Sequence, residues 1–149
     1  MIFCDTSAIA KLYLVERESP TMRAKLEAED QVFVSELARP ELMSVFHRQL
    51  REKKWTRDQF MTVVRQFTND DLGGFWTWLP LDTAIIEVAA KTYTTLPDSV
   101  FLRSADCLHL ITAMHHSFSE IYTYDTHQTA AARALGLKPL TADSERTKP

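Results

Sequence analysis

Glycine is scarce in this 149-residue chain, which contains only Gly73, Gly74 and Gly136. A dinucleotide-binding G-x-G-x-x-G turn and a Walker A loop both need glycines at fixed spacing, because their backbones approach phosphate groups closely. Neither spacing can be built from these three positions. The sequence therefore excludes both kinds of glycine-rich nucleotide-binding loop.

Cysteine and long apolar runs are also scarce. The only cysteines are Cys4 and Cys107, so we expect no disulfide framework and two small buried thiols in a reducing compartment. No stretch approaches the roughly 20 apolar residues of a membrane-spanning helix. The first residues carry neither a basic leader nor a long apolar run. These features predict a cytoplasmic protein that makes no membrane contact.

An excess of basic residues is lacking as well, since 17 Lys and Arg stand against 20 Asp and Glu and the net charge is −3. A protein that holds nucleic acid by bulk charge must neutralise phosphates and is normally basic. Nucleic-acid binding here would need a local basic patch, a metal ion, or both. The most basic segment is residues 47–57, although a solvated helix end is the simpler explanation for most of its charges. Its candidate contact residues, for substrate or for a protein partner, are Arg48, Arg51, Lys53 and Lys54.

Short apolar runs alternate with amphipathic stretches along most of the chain. Continuous apolar runs are typical of strands buried on both faces of a parallel sheet, and they occur at residues 2–4, 32–34, 75–79, 121–124 and 138–140. Apolar stripes at helical spacing predict helices between them. These stripes lie within residues 8–13, 42–50, 56–71, 81–96, 107–114 and 128–135.

This alternation of strands and helices predicts an α/β fold. Helices on both faces of a parallel sheet form a three-layer α/β/α sandwich, here with a central, mostly parallel sheet of about five strands. We expect the domain to span residues 1–140 and residues 141–149 to form a polar C-terminal tail.

Four acidic residues lie where predicted strands end or the following helices begin. Asp5 and Asp125 follow the first and fourth strands, Glu41 lies early in the helix after the second strand, and Asp106 lies in a first helical turn. Each acid alone has a structural explanation as a helix cap, a partner of the helix dipole or a solvated residue. Ligands of open α/β sheets bind at the carboxyl ends of the strands, so the four carboxylates are expected to converge there.

Converging carboxylates repel one another unless a cation lies between them. Mg²⁺ prefers carboxylate oxygens and water as ligands. A site of this kind orients and activates a water molecule and stabilises the charge of a phosphoryl transition state. The pattern therefore favours hydrolysis of phosphodiester bonds, with the metal supplying the positive charge that the composition lacks.

Four short motifs around these acids resemble those of PIN domains. They are IFCDTSA at residues 2–8, SELARPE at 35–41, LRSADCLHL at 102–110, and YTYD at 122–125 followed by AARALGL at 131–137. The resemblance extends from residue 1 to about residue 140. The single-domain length is similar to that of VapC-type toxins of toxin–antitoxin pairs.

That resemblance implies an endoribonuclease in which a water activated by Mg²⁺, or alternatively Mn²⁺, cleaves RNA. It also implies a homodimer and inhibition by a VapB-like antitoxin. The residues that it makes catalytic and metal-binding are Asp5, Glu41, Asp106 and Asp125. The hydroxyl groups that it expects to orient these acids belong to Thr6, Ser7 and Thr123.

Three further expectations concern residues near these motifs. Arg103 is expected to contact a phosphate, an acid of the site or the antitoxin, unless it forms only a surface ion pair. His109 lacks a second His or Cys at metal-binding spacing, so we expect a hydrogen-bonded structural histidine. The aromatic residues 75–78 and Trp55 are expected to offer apolar surface for a dimer.

Two other classes of protein remain open. One is a non-catalytic PIN-like binding module, although the presence of all four acids argues against a decayed site. The other is a different Mg²⁺-dependent phosphohydrolase. A haloacid-dehalogenase-type phosphatase needs a second Asp where this chain has Ser7, and a phospho-receiver domain needs its Asp after the third strand, where Asp82 is better explained as a helix cap.

Overall fold

The central sheet has five parallel strands in the computed structural model, which describes residues 1–144. Their spatial order is β3-β2-β1-β4-β5, and each neighbouring pair is parallel. The central strand, β1, is therefore flanked by β2 and β4. The strands are β1 (Ile2–Cys4), β2 (Val32–Ser35), β3 (Trp76–Leu79), β4 (Glu120–Tyr122) and β5 (Lys138–Leu140).

Helices cover both faces of this sheet. Side chains alternate along β1, so that Ile2 and Cys4 pack in one hydrophobic cluster while Phe3 packs in the other. The predicted three-layer α/β/α sandwich is thereby confirmed, and the two cysteines are buried and free as expected. The helices are α1 (Thr6–Ala10), α2 (Ser19–Glu27), α3 (Ala38–Arg51), α4 (Arg57–Leu72), α5 (Thr83–Thr92), α6 (Ser104–His115) and α7 (Thr126–Ala134).

The first two helices differ from the sequence-based prediction. The stripe that begins at Ala8 stays buried through Tyr13, but α1 ends at Ala10 because the next amides bond three residues back, as Tyr13 N does to Ala10 O. Helix α2 was not predicted. Its only buried apolar side chains are Met22 and Leu26, and two positions are too few to reveal a period.

The fourth strand is shorter than the predicted run of residues 121–124. It ends at Tyr122, because the N–H of Tyr124 donates to Ser7 Oγ at 2.8 Å instead of to a neighbouring strand. Asp125 consequently lies in a short connection between β4 and α7. That connection places it beside the residues that follow β1.

The aromatic residues around β3 face the core, so the prediction that they offer exposed apolar surface is wrong. Trp76 is buried, and Phe75, Trp78 and Trp55 are half-buried against the same cluster. Helix α4 covers them, and Trp78 Nε1 donates to Asp71 at 2.6 Å. The large apolar side chains that are exposed lie elsewhere, and they include Ile86, Tyr93 and Phe101.

Four described residues follow β5. Of the predicted tail, residues 141–144 are described and form a turn in which Thr141 N donates to Ser144 Oγ, whereas residues 145–149 lie outside the described residues. Across residues 1–144, none of the helices combines the length and the apolar character required to cross a bilayer.

Candidate active site

A pocket of about 560 Å³ opens at the carboxyl edge of the sheet, and all four predicted acids line it. They reach it from four separate segments: the end of β1, the first turn of α3, the first turn of α6 and the connection before α7. The central position of β1 puts Asp5 in the middle of this edge, where its N–H donates to Tyr122 O at 3.0 Å. The fold thus brings together the acids that the sequence placed at strand and helix ends.

Asp5 is almost completely buried, with 2% of its surface exposed. Its Oδ1 accepts from Ala8 N at 2.9 Å, which caps α1, and from Ser7 Oγ at 2.7 Å. Its Oδ2 accepts from Thr123 Oγ1 at 2.6 Å. Burial raises the pKa of this carboxyl above its usual value, because the nearby charge of His109 and the hydrogen bonds only partly offset the loss of water. Asp5 is therefore held firmly in place by neutral donors.

Glu41 is fixed by two side chains from other segments. Its Oε2 accepts from Thr6 Oγ1 and from His109 Nε2, the latter at 2.7 Å. Partial burial opposes ionisation of Glu41, but the hydrogen bond and charge of His109 outweigh it, so the pKa is lowered. His109 is 2% exposed, and its Nδ1 has no hydrogen-bond partner within residues 1–144. It is the buried hydrogen-bonded histidine that was predicted, and its partner is an acid of the pocket.

Arg103 joins the other two acids. Its Nε donates to Asp106 Oδ2 and its Nη2 to Asp125 Oδ2, each at 2.7 Å. Asp125 Oδ1 accepts from the N–H groups of His127 and Gln128, which caps α7. Partial burial opposes ionisation of Asp125, yet these hydrogen bonds and the Arg103 charge outweigh it and lower its pKa. Among the partners expected for Arg103 from the sequence, the ones seen in the structure are acids of the site, Asp106 and Asp125.

The donor set of this pocket suits a hard divalent cation. Four carboxylates and several hydroxyls supply the oxygen ligands that Mg²⁺ and Mn²⁺ prefer. Asp5 is buried without a direct cationic partner among the described residues, which is the environment that a bound cation would satisfy. Within residues 1–144, however, no three carboxylate, imidazole or thiol groups converge closely enough to form a finished metal site. The residues fit a metal ion provided that some of their present contacts rearrange.

The remaining predicted residues divide into two sets. Each hydroxyl expected to orient an acid does bond to one, since Ser7 and Thr123 contact Asp5 and Thr6 contacts Glu41. The basic residues of the α3–α4 region are exposed, and only Arg48 among them lines the pocket. The others lie beyond the pocket, where two of them pair with Glu52; they are Arg51, Lys53 and Lys54.

Sequence reasoning did not find several residues that line the same pocket, among them Lys11, Tyr124 and Gln128. Lys11 Nζ pairs with two glutamates of the following loop and lies 4.8 Å from the centre of the Tyr124 ring. Gln128 is buried, and its Nε2 has no partner in the described part of the chain. Its position three residues after Asp125, on one helix face, was the available signal. Lys11 lies in an irregular turn and gave no such signal.

The family of the protein is established by its sequence. The PIN domain family matches residues 2–134, which is most of the chain. The chain belongs to the PIN domain family. No curated protein is a significant match to the sequence of this PIN domain.

Solved structures with a similar fold include three proteins of bacteria. FitAcB from Neisseria gonorrhoeae is 19% identical over 95% of this chain and 98% of that chain, with a TM-score of 0.73. VapC20 of Mycobacterium tuberculosis, a toxin that cleaves the sarcin–ricin loop, is 16% identical over 88% and 95%, with a TM-score of 0.68. VapBC2 from Rickettsia felis, bound to a promoter DNA fragment, is 12% identical over 95% and 98%, with a TM-score of 0.66. At these identities the likeness establishes the fold of this PIN domain.

Proposed function

We propose that this PIN domain is an endoribonuclease dependent on Mg²⁺ or Mn²⁺, and that it is the toxin of a VapBC-type toxin–antitoxin pair. The observation that carries this proposal is the pocket into which four acids from four segments project. The M. tuberculosis VapC20 toxin, which has a similar fold, cleaves an RNA loop. Together these findings favour phosphodiester hydrolysis over other chemistry at this pocket.

Asp5, Glu41, Asp106 and Asp125 are proposed to hold the cation. When bound, the cation would activate a water molecule and stabilise the charge that develops on the phosphate. The chain itself supplies orientation, because hydroxyl groups fix Asp5 through both of its oxygens. His109 fixes Glu41 in the same way and, being buried, keeps water away from that side of the carboxylate. These contacts fix the carboxylates of Asp5 and Glu41 in position before any ligand binds.

The RNA is proposed to approach over the exposed cations at the rim of the pocket. Arg48 lines the pocket, is exposed and pairs with none of its four acids, so its charge is available to phosphates. Arg103 is also exposed at the rim, but its guanidinium is bound by Asp106 and Asp125. Exposed residues Arg51, Lys53 and Lys54 continue this positive charge past the end of α3. A local basic path of this kind offsets the overall negative charge of the chain and steers a polyanion. In a complex with the antitoxin, the same cations would meet acidic residues.

The test is to incubate the purified chain, free of any antitoxin, with total bacterial RNA and to map the new 5′ ends. We expect cuts at discrete positions with Mg²⁺ or Mn²⁺ and none with EDTA. Intact RNA under every condition, together with no metal binding, would point to a non-catalytic binding module. Intact RNA together with hydrolysis of a small phosphomonoester would point to a different phosphohydrolase.

A VapB-like antitoxin is proposed as the partner that restrains this activity. Similar structures include toxin–antitoxin complexes such as VapBC2 of R. felis. An inhibitor of an acidic pocket needs a cation, and an Arg pairs with carboxylates in a bidentate manner. Expression of this chain alone should arrest growth, and the small open reading frame next to its gene should rescue it. Harmless expression, with no neighbour that binds, would count against the toxin role.

A homodimer is the proposed assembly. Ile86 of α5 and Tyr93, the residue that directly follows α5, are about half-exposed and lie seven residues apart, so they point to the same side. Phe101, which is 59% exposed, adds further apolar surface in the loop that follows. Two-fold dimers are the commonest way to cover such surface. Light scattering at micromolar concentration should give twice the chain mass for the wild type and a lower mass for Ile86→Glu.

A further inference from the structure

We propose that Arg103 is a built-in competitor of the metal ion. Without metal, its guanidinium holds Asp106 and Asp125, and a cation binds fully only after the guanidinium has left at least one of them. This inference rests on the proposed function, since it concerns the same acids. It goes beyond the proposed function, because the affinity for metal then depends on a positively charged side chain of the protein itself.

The geometry of the three residues makes the two ion pairs a single unit. Nε and Nη2 of Arg103 lie on one planar group, and each is 2.7 Å from a carboxylate oxygen of a different acid. Arg103 is the residue that precedes α6, and Asp125 is the residue that precedes α7. The guanidinium therefore bridges the starts of two helices and neutralises part of the charge of both acids.

The oxygens of Asp125 show why a cation must displace something. Its Oδ2 accepts from Arg103, and its Oδ1 accepts from the N–H groups of His127 and Gln128. Loss of the contacts to Oδ1 would uncap α7, which destabilises a helix. Arg103 is 52% exposed, so water replaces its contacts easily when it leaves. The guanidinium is therefore the donor that gives way.

Asp5, on the other side of the pocket, faces no such competition. Asp5 is bonded by two hydroxyls and an amide, and a carboxylate can keep these neutral donors while it also binds a cation. Arg48 offers a natural comparison with Arg103, because it lines the same pocket. Within residues 1–144 it forms no ion pair with any of the four acids. The two arginines thus differ in contact but not in charge.

The first experiment measures Mn²⁺ affinity by calorimetry, at fixed ionic strength and pH, for the wild type and three variants. Arg103→Met keeps an unbranched stem without the charge, and it should bind Mn²⁺ about three- to tenfold more tightly because two exposed ion pairs no longer compete. Arg103→Lys, which keeps the charge but cannot bridge two acids, should be intermediate. Arg48→Met removes the same charge from the pocket wall and should change affinity less than about twofold. A damaged site would bind metal more weakly, so a gain cannot arise from misfolding.

The second experiment follows the guanidinium directly by ¹⁵N NMR of arginine Nε–H groups. The Arg103 signal is assigned by its loss in Arg103→Met, and it should shift and exchange faster with water as Mg²⁺ saturates the site. Three results would each overturn the competitor role alone. Arg103→Met could bind Mn²⁺ no more tightly than the wild type, or its gain could be no larger than that of Arg48→Met. The third is an Arg103 signal that does not change when Mg²⁺ binds. Failure of every variant to bind either metal would overturn the proposed function as well.

Discussion

The four acids of the pocket form two pairs that are held in different ways. Asp5 and Glu41, the hydroxyl-held pair, accept hydrogen bonds from Ser, Thr and His side chains. Asp106 and Asp125, the arginine-held pair, share one guanidinium. The hydroxyls orient a carboxylate without neutralising it, whereas the arginine neutralises two carboxylates at once. Neutral groups therefore orient Asp5, whereas an arginine balances the charge of Asp106 and Asp125 in the same pocket.

Asp5 and Asp125 have pKa shifts in opposite directions, while the pKa of Glu41 is lowered like that of Asp125. Burial raises the pKa of Asp5, whose direct partners are all neutral. The pKa of Asp125 is lowered in spite of partial burial, because backbone N–H groups and Arg103 stabilise its charged form. A buried charge without a cationic partner is unfavourable for folding. The ionised carboxylate of Asp5 is therefore a cost to the metal-free fold, which a cation at the proposed site would offset.

The largest expected effect comes from the hydroxyl-held pair. Asp5→Asn keeps the volume and the cap of α1 but removes the charge, and RNA cleavage should fall by about 100-fold or more. Asp82→Asn is the matched control, since Asp82 caps α5 in the same way by accepting from Ile85 N and does not line the pocket. Initial cleavage rates and far-UV circular dichroism check both variants. Wild-type cleavage by a folded Asp5→Asn protein would show that the site is wrongly assigned.

A second prediction concerns metal and the arginine-held pair. Saturating Mg²⁺ or Mn²⁺ should raise the melting temperature, because a ligand at about 100 times its Kd stabilises the folded state by about 2.7 kcal/mol. Asp106→Asn should reduce that shift, while Asp58→Asn, in the first turn of α4, should leave it unchanged. Thermal unfolding with and without EDTA provides the measurement. If neither metal changes the melting temperature of the wild type, that result would argue against the proposed metal site.

The smallest effect separates Asp5 from Asp125 by the sign of their contributions to stability without metal. The folded-state pKa of Asp5 is raised, so its charge destabilises the fold above that pKa, and the penalty disappears as the pH falls below the unfolded value of about 3.9. The folded-state pKa of Asp125 is lowered, so its charge stabilises the fold above about 3.9, and this is lost as the pH falls through the folded value. At pH 7, Asp5→Asn should therefore raise the melting temperature and Asp125→Asn should lower it. A change of 1 kcal/mol corresponds to roughly 3–5 °C in a domain of this size.

Thermal unfolding in EDTA between pH 3 and pH 7 tests this contrast. Both differences from the wild type should shrink toward the acid end of the range. Shifts of the same sign at pH 7 would mean that Asp5 and Asp125 do not differ in the way that their partners suggest.

The sequence predicted those features that depend on local pattern. An apolar run that stops at Asp5 predicts a buried strand with an acid at its carboxyl end. In an open α/β sheet, that position alone places the acid beside the ligand-binding crevice. Asp5 and Asp125 do cap helices, as the structural explanation predicted, and their other oxygens accept from Thr123 and Arg103. Their metal-binding role stays a prediction.

Features that depend on long-range packing were not predictable in this way. The acids that Arg103 contacts are decided by how the starts of α6 and α7 pack together. Spacing along the chain does not encode that packing. The core position of Trp76 likewise depends on how α4 covers the sheet. Residues 19–27 offer only two buried apolar positions, and Lys11 reaches the pocket through an irregular turn.

The hydroxyl of Ser7 has one further consequence, because it donates to Asp5 and also accepts from the N–H of Tyr124. Amide hydrogen exchange at Tyr124 should therefore report whether the segment after β1 and the segment after β4 are joined, with neither RNA nor metal present. The preceding amide is an internal reference, since Thr123 N bonds to Leu140 O within the sheet edge. In Ser7→Ala, amide exchange should accelerate at Tyr124 while Thr123 stays protected. The exchange rate of this one backbone proton would then report whether the segments after β1 and β4 remain joined.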